Sequence, residues 1–212
     1  MTTFNLITLI CPICRNSFES REIASCGYAN KRTDFRPNYW GFNPVEYLYH
    51  LCVNCGFCAP KNLFEIKIEN TDLKQKIEQI GNTPINSLSQ KLERAMLCLE
   101  FLNNLGLTNK SEFELGNIWL DLYWWSENLD EIKKFGEKII NYYEIAFEKG
   151  QVPSDQFYTI LYLIGEIYRR IGNQDKANKY FDEVISLTKN RKDQEIVHNL
   201  AIQQKTIPKE NL

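Results

Sequence analysis

Two Cys-x-x-Cys pairs constrain the fold of this 212-residue chain most, Cys11-Pro-Ile-Cys14 and Cys52-Val-Asn-Cys55. Two residues between cysteines let both thiolates of a pair bind one ion from a single tight turn. Two such pairs complete a tetrahedral shell of four sulfurs, which suits Zn²⁺ because this ion binds thiolates well and has no strong geometric preference of its own. We therefore predict one structural zinc ion, bound by Cys11, Cys14, Cys52 and Cys55. A closed shell leaves no coordination position for catalysis.

Three further side chains leave alternatives open. Cys58 extends that pair to C-x2-C-x2-C, a spacing typical of iron–sulfur ferredoxins, but Asn62 stands where the next cysteine would be needed. Cys26 is able to replace one of the four ligands, or to form a redox pair with Cys58. His50 is either an alternate ligand or an ordinary strand residue.

The pattern of the chain changes near residue 70. Before it, turn residues are dense, and short apolar runs predict strands at Phe4–Ile10, Glu46–Leu51 and Leu63–Ile68. After it, apolar residues recur at helical spacing, with capping signals between them. We therefore predict a mainly α protein, with a small β zinc-ribbon-like domain at residues 1–69 and an all-helical tetratricopeptide-like repeat domain at residues 70–212.

One stretch of the helical half matches the tetratricopeptide spacing, with Leu in place of the usual Trp. The matching residues are Leu161, Ile164, Gly165, Tyr168, Ala177 and Phe181. Small residues at 165 and 177 let the paired helices approach closely, and the rings of Tyr168 and Phe181 fill the space beside them.

A degenerate upstream copy of the same pattern places Leu120 where the repeat has Gly165. The close-contact residue has changed, so this copy predicts a helix pair of similar plan with a longer second helix. A generic antiparallel bundle built from the same helices is the alternative.

The segment between the cysteine pairs is unusually aromatic for a loop. Its candidate binding-surface residues are Arg36, Tyr39, Trp40, Phe42 and Tyr47. One interpretation is that the rings cover the metal site and dock it on the helices. Another is a recognition surface, because aromatic and Arg side chains concentrate binding energy. A third is stacking on single-stranded nucleic acid, which the formal net charge of −2 does not favour.

In combination, these motifs resemble a bacterial family known as domain of unknown function 2225. The residues that carry the resemblance are CPIC at 11–14, D-x-R-P-x-Y at 34–39, Asn43-Pro44 with Tyr47, CVNCG at 52–56, YLIGE at 162–166, Arg169-Arg170, Gly172-Asn173, Ala177 and Phe181. Cys58 departs from the family pattern, which usually has a small residue there. The resemblance implies a zinc-ribbon-like N-terminal part, a tetratricopeptide-like C-terminal part and a bacterial cytosolic origin, and it implies no activity or substrate.

These observations predict a non-catalytic, zinc-binding scaffold for protein–protein interaction. The alternatives are a nucleic-acid-associated zinc-ribbon protein and a thiol redox protein that uses Cys26 or Cys58. Two histidines supply little for a hydrolytic centre, so we do not expect an enzyme. No secretory signal or membrane-spanning run is visible, so we expect a cytoplasmic protein with a protein or peptide partner and no membrane contact. The oligomeric state stays open.

Overall fold

The structure is a computed structural model that describes residues 2–66, 68, 71–81 and 84–212. The predicted domain boundary between residues 69 and 70 lies outside them. The strands are β1 (Thr3–Ile10), β2 (Ser17–Ser25), β3 (Tyr28–Lys31), β4 (Pro37–Tyr39), β5 (His50–Leu51) and β6 (Cys58–Ala59). The helices are α1 (Thr71–Gly81), α2 (Leu88–Asn104), α3 (Glu112–Tyr123), α4 (Leu129–Glu148), α5 (Phe157–Arg170), α6 (Gln174–Thr188) and α7 (Glu195–Thr206).

The predicted fold class is confirmed, because the described residues form a mainly α protein with a small β region near the N-terminus. Three two-stranded sheets pair β1 with β2, β3 with β4 and β5 with β6. The β1–β2 hairpin is antiparallel, with Phe4 opposite Ile23 and Ile10 opposite Ser17. Strand β1 agrees with the strand predicted at Phe4–Ile10.

The chain packs as two compact units whose boundaries do not follow the change of pattern at residue 70. The first unit contains residues up to Ala29 and Tyr39–Asn109, and the second contains Asn30–Asn38 and Lys110–Leu212. Helices α1 and α2 therefore group with the strands, and α2 packs on β6. The tip of the β3–β4 hairpin groups with the later helices, because an element's neighbours are set by the faces that it buries and not by its type.

The strand predicted at Glu46–Leu51 is wrong except at its end. Only His50–Leu51 is a strand, whereas Pro44–Tyr47 forms a short 3-10 helix. Proline at the first helical position has a fixed φ suited to a helix start, and the Asn43 side chain accepts a hydrogen bond from the Val45 N–H at 3.1 Å. These two local preferences outweigh the apolar pattern.

The strand predicted at Leu63–Ile68 is also wrong, because Lys61–Phe64 forms another 3-10 helix. Leu63 and Phe64 are adjacent in the chain and both are buried, whereas adjacent residues of a strand point to opposite faces. The Phe64 ring packs on that of Phe57, with centroids 5.1 Å apart. A helical turn brings both side chains to the core of the first unit, and alternation in the sequence did not reveal this.

The second unit is built from the helix pairs α3–α4 and α5–α6, with α7 packed on α6. Local signals begin and end these helices. Ser111 and Glu114 form a capping box at the start of α3. Gly172 takes the left-handed conformation after α5, with φ of 85°, and Asn173 caps α6 through the Lys176 N–H.

Gly165 lies at the closest approach of α5 and α6. A Cβ atom there would lie 2.9 Å from a ring carbon of Phe181 and 3.1 Å from the Cβ of Tyr180. Ala177 and Phe181 are fully buried on α6, and Tyr168 is buried on α5. These are the contacts that the predicted repeat requires. The assignment of the pair to the tetratricopeptide class stays a prediction.

Gly116, and not Leu120, holds the corresponding place in α3–α4. A Cβ atom on Gly116 would lie 2.7 Å from a ring carbon of Tyr143 and 3.4 Å from the Cβ of Tyr142. In α3–α4 the aromatic pair that faces the glycine is thus Tyr142-Tyr143. In α5–α6 the corresponding pair is Tyr180-Phe181. Gly116 is the fifth residue of α3 and Gly165 is the ninth residue of α5. The close contact in α3–α4 therefore lies about one turn, roughly 3.6 residues, nearer the start of its helix.

We predict that Gly165→Leu destabilises the second unit. The leucine has no space beside Phe181, so overpacking should lower the free energy of unfolding by about 1–3 kcal/mol or more. The measurement is thermal or urea unfolding followed by circular dichroism. Lys179→Leu adds the same side chain at an exposed position of α6 and should change stability by less than about 0.5 kcal/mol. An unchanged or raised melting temperature for Gly165→Leu would contradict the close contact.

Candidate metal centre

The first cysteine turn follows β1 directly. The Arg15 N–H donates to the Cys11 carbonyl at 2.9 Å, and the Cys11 N–H donates to the Asn16 carbonyl at 2.9 Å. Arg15 has a positive φ of 63°, which costs an L-residue roughly 1–2 kcal/mol. This tight turn points both thiols of the pair in the same direction.

The second cysteine turn repeats that plan after β5. The Gly56 N–H donates to the Cys52 carbonyl at 2.9 Å, and the Cys52 N–H donates to the Phe57 carbonyl at 2.8 Å. Gly56 has a φ of 75°, at the position that Arg15 holds in the first turn. The two turns are therefore nearly equivalent in backbone, although their sequences share only the cysteines.

The end of α1 supports the second turn through backbone contact. A Cβ atom on Gly56 would lie 2.3 Å from the Cα of Gly81, and one on Gly81 would lie 2.2 Å from the Cys55 carbonyl oxygen. The Arg94 guanidinium of α2 donates to the Gly81 carbonyl at 3.1 Å. Two glycines thus let α1 reach the turn that carries Cys55.

The two turns bring the four predicted ligands together. The four sulfurs lie within 4.8 Å of one another. The Cys11 and Cys55 sulfurs are 3.5 Å apart, and those of Cys14 and Cys52 are 3.6 Å apart. Sulfurs that bind zinc at about 2.3 Å in a tetrahedron are separated by about 3.8 Å. Among the described residues, no other group of three or more His, Cys, Asp or Glu side chains is arranged to hold a metal.

The electrostatics of the cluster favour a bound cation. A hydrogen bond from the Cys55 thiol lowers the pKa of Cys11 to about 5, and the same bond raises the pKa of Cys55 well above its usual value. Burial raises the pKa of Cys52. Without a cation, the thiolate form is thus favoured at Cys11 and disfavoured at Cys52 and Cys55. A divalent ion removes that conflict, because it offsets the repulsion among four thiolates.

The three alternative ligands lie outside the group of four. The His50 ring shares a 2.8 Å hydrogen bond with the Ser20 hydroxyl, and burial lowers the pKa of its imidazole. The Cys58 thiol is fully buried and donates to the Lys91 carbonyl at 3.6 Å. Burial raises its pKa to about 12, which disfavours the reactive thiolate. Cys26 is exposed, and both cysteines are free thiols.

The five candidate binding-surface residues differ in their surroundings. Arg36 groups with the second unit, where its guanidinium donates to the Trp124 carbonyl at 3.3 Å. The remaining candidates belong to the first unit. Tyr39 is half-buried, and the Tyr47 ring packs on Phe4 with centroids 5.3 Å apart.

Trp40 and Phe42 are the two candidates whose rings face solvent. Trp40 is 54% exposed and Phe42 is 72% exposed. The backbone that carries them is held by the Thr2 hydroxyl, which donates to the Phe42 carbonyl at 2.9 Å. The aromatic segment therefore contributes two exposed rings, and its other members pack.

The sequence did not predict a buried cluster of charged residues in the second unit. Asp34 and Glu166 have no exposed surface, and both lie near the Arg170 guanidinium. The D-x-R-P and Glu166/Arg169/Arg170 motifs of the family pattern contained these residues. Nothing in their spacing placed residue 34 beside residue 166, because that contact joins distant parts of the chain.

Two features define the class of this protein. The first is a cluster of four thiols on two turns that follow strands, and the second is a set of packed helix pairs. The chain belongs to the bacterial family described as "Uncharacterized protein conserved in bacteria (DUF2225)", whose family model matches residues 7–207. The resemblance drawn from the motifs is thereby confirmed. No curated protein and no solved structure matches the chain. Within the described residues, no helix is both long enough and apolar enough to cross a bilayer.

We predict that the purified protein contains about one zinc ion per chain. Elemental analysis of protein prepared without added metal is the measurement. Cys52→Ser removes a ligand. It should lower zinc affinity by more than roughly 10–100-fold, which is the usual effect of removing a residue that only hydrogen-bonds a ligand. Cys26→Ser is the matched control and should leave the zinc content unchanged. Stoichiometric iron, or no metal, would refute the assignment.

We also predict that zinc affinity falls as the pH is lowered. Cys52 and Cys55, whose pKa values are raised, hold their protons at neutral pH in the metal-free protein, so zinc must displace these protons. Cys11, with a pKa of about 5, adds a further competing proton only below that pH. Competition with a chromophoric chelator between about pH 8 and pH 5.5 should show the decline, and a flat profile would contradict it.

Proposed function

We propose that this protein is a non-catalytic scaffold for protein–protein interaction whose N-terminal part is held by one structural zinc ion. The observation that carries the proposal is the four-thiol cluster. Its donors complete a tetrahedral shell, so a zinc ion bound there has no open position for a substrate. The ion's contribution is to cross-link the turns at Cys11–Cys14 and Cys52–Cys55.

The cross-link closes the loop that carries the exposed aromatic rings. Holding both ends of a loop lowers the number of conformations available to it, which favours a defined surface. The Trp40 N–H donates to the Gly27 carbonyl at 3.0 Å, and its ring lies so close to Gly27 that a Cβ atom there would be 3.0 Å away. Trp40 and Phe42 are therefore presented by an ordered backbone, as rigid aromatic contacts in interfaces are.

We propose a protein partner for this surface. The formal net charge of −2 gives no general attraction to nucleic acid, and we do not expect membrane binding. All seven cysteines are free thiols, which agrees with the reducing cytoplasm. The fully buried Cys58 thiol, with its raised pKa, does not support a thiol redox function.

We predict that the double substitution Trp40→Ala with Phe42→Ala weakens partner binding by roughly 30-fold or more and keeps the fold. Truncation of central aromatic residues in an interface costs about 2 kcal/mol or more, which is roughly a 30-fold loss of affinity. The measurement is affinity purification from the native host with the tagged, zinc-loaded chain, followed by titration of the enriched protein.

The matched control is Leu48→Ala, which truncates another exposed apolar side chain of the first unit. It should retain the partner. Zinc content and melting temperature should be equal in all three proteins. Equal capture by the double variant would contradict the proposed surface, and capture that disappears on nuclease treatment would favour nucleic acid instead.

A further inference from the structure

Residues 30–38 are bound by the second unit as a peptide is bound by a receptor. Both main-chain groups of Thr33 are engaged. Its N–H donates to the Glu210 carbonyl at 3.0 Å, and its carbonyl accepts the Tyr162 hydroxyl at 2.9 Å. Thr33 therefore lies in the turn between β3 and β4, which the Phe35 N–H closes by donating to the Arg32 carbonyl at 2.9 Å, and this turn is held by α5 and by the C-terminal tail.

The Thr33 side chain also forms hydrogen bonds both as a donor and as an acceptor. Its hydroxyl donates to a Glu166 carboxylate oxygen at 2.8 Å and accepts from the Arg170 guanidinium at 3.0 Å. Thr33 and Glu166 have no exposed surface. A hydroxyl that meets an acceptor and a donor together is bound selectively, because an apolar side chain of the same shape would leave both unpaired.

Asp34 and Phe35 extend the contact. The Asp34 carbonyl accepts the Trp124 indole N–H at 3.0 Å, and its carboxylate lies 3.7 Å from Arg170. The Phe35 ring packs on Tyr162, with centroids 5.7 Å apart. Phe35 has a φ of 66°, an unfavourable conformation for a bulky L-residue. The segment keeps this conformation because its neighbours on both sides are held.

The C-terminal tail covers the outer side of the segment. The Leu212 N–H donates to the Lys31 carbonyl at 3.0 Å, and Arg32 forms an antiparallel bridge with Asn211. The tail is positioned in turn by Gln204 of α7, whose amide donates to the Lys209 carbonyl at 2.9 Å. The end of β3 thus pairs with the tail through one antiparallel bridge.

The helical face does not need the segment to satisfy its own charges. Glu166 accepts from Arg169 at 2.8 Å and 2.9 Å, and from Arg170 at 2.7 Å, within the same helix. The core between α5 and α6 is made by other residues, among them the fully buried Ile164, Ala177 and Phe181. The segment adds polar contacts and the Phe35 ring to this surface.

We infer that this face, formed by α5, the end of α3 and the tail at residues 209–212, is a peptide-binding site, and that residues 30–38 are its tethered ligand. The partner that it fits is a β-turn with Thr, Asp and an aromatic residue in succession. Such a partner has to displace residues 30–38 first. This inference rests on the proposed interaction function and extends it to a second surface.

The test uses a fluorescein-labelled synthetic peptide of residues 28–39, which spans β3 and β4 and leaves out Trp40, and the full-length, zinc-loaded chain. Thr33→Ala with Asp34→Ala weakens the tethered segment, so this double variant should bind the peptide at least about tenfold more tightly than the wild-type chain. A matched peptide with Thr33→Val keeps the shape of the side chain and loses the hydroxyl. It should bind at least about tenfold more weakly than the unchanged peptide.

Three results would overturn the inference. A double variant that keeps its helical circular dichroism but does not bind the peptide would show that the face is not a binding site. A double variant that loses its helical signal would show that residues 30–38 belong to the core. Equal binding by the wild-type chain would place the peptide elsewhere. None of these results depends on Trp40, Phe42 or the enriched partner, so the proposed function is tested separately.

Discussion

The four thiols of the first unit lie within 4.8 Å of one another, and four thiolates at that separation repel each other strongly unless a cation lies between them. The backbone nevertheless brings them together through two turns of the same plan, one after β1 and one after β5. Glycine at 56 and 81 lets α1 support the second turn by direct backbone contact. A metal bound by such a cluster would contribute its binding free energy to the stability of this unit, as in small zinc domains.

The loop between the two turns takes part in both units. Its exposed rings, Trp40 and Phe42, belong to the first unit, and its residues 30–38 belong to the second. Closing the ends of this loop with a metal lowers the conformational entropy that the loop loses when it adopts an ordered structure. The loop that the two cysteine turns enclose thus carries the exposed rings of one proposed surface and the tethered segment of the other.

In the second unit, different residues form the contacts between helices and the contacts with residues 30–38. Close helix approach depends on glycine facing an aromatic ring, Gly116 on Tyr143 and Gly165 on Phe181. Recognition of the segment depends on Glu166 and its arginine partners, which are paired within α5. Buried ion pairs contribute little net stability when desolvation is counted, and they are costly to leave unpaired. Charges of this kind are better suited to select a ligand than to hold helices together.

The sequence by itself determined the two Cys-x-x-Cys turns, the mainly α class, the helix caps and the close approach at Gly165. Each of these depends on residues that are near one another in the chain, where spacing and local hydrogen bonds decide the geometry. The tertiary structure alone decided that Lys61–Phe64 is a helical turn, that Gly116 and not Leu120 faces the neighbouring helix, and that residues 30–38 pack with α5. These features depend on which distant surfaces meet, and periodicity within a short window carries no information about that. Thr33 and Glu166 are individually unremarkable in the sequence, and their contact became visible only when the fold placed them together.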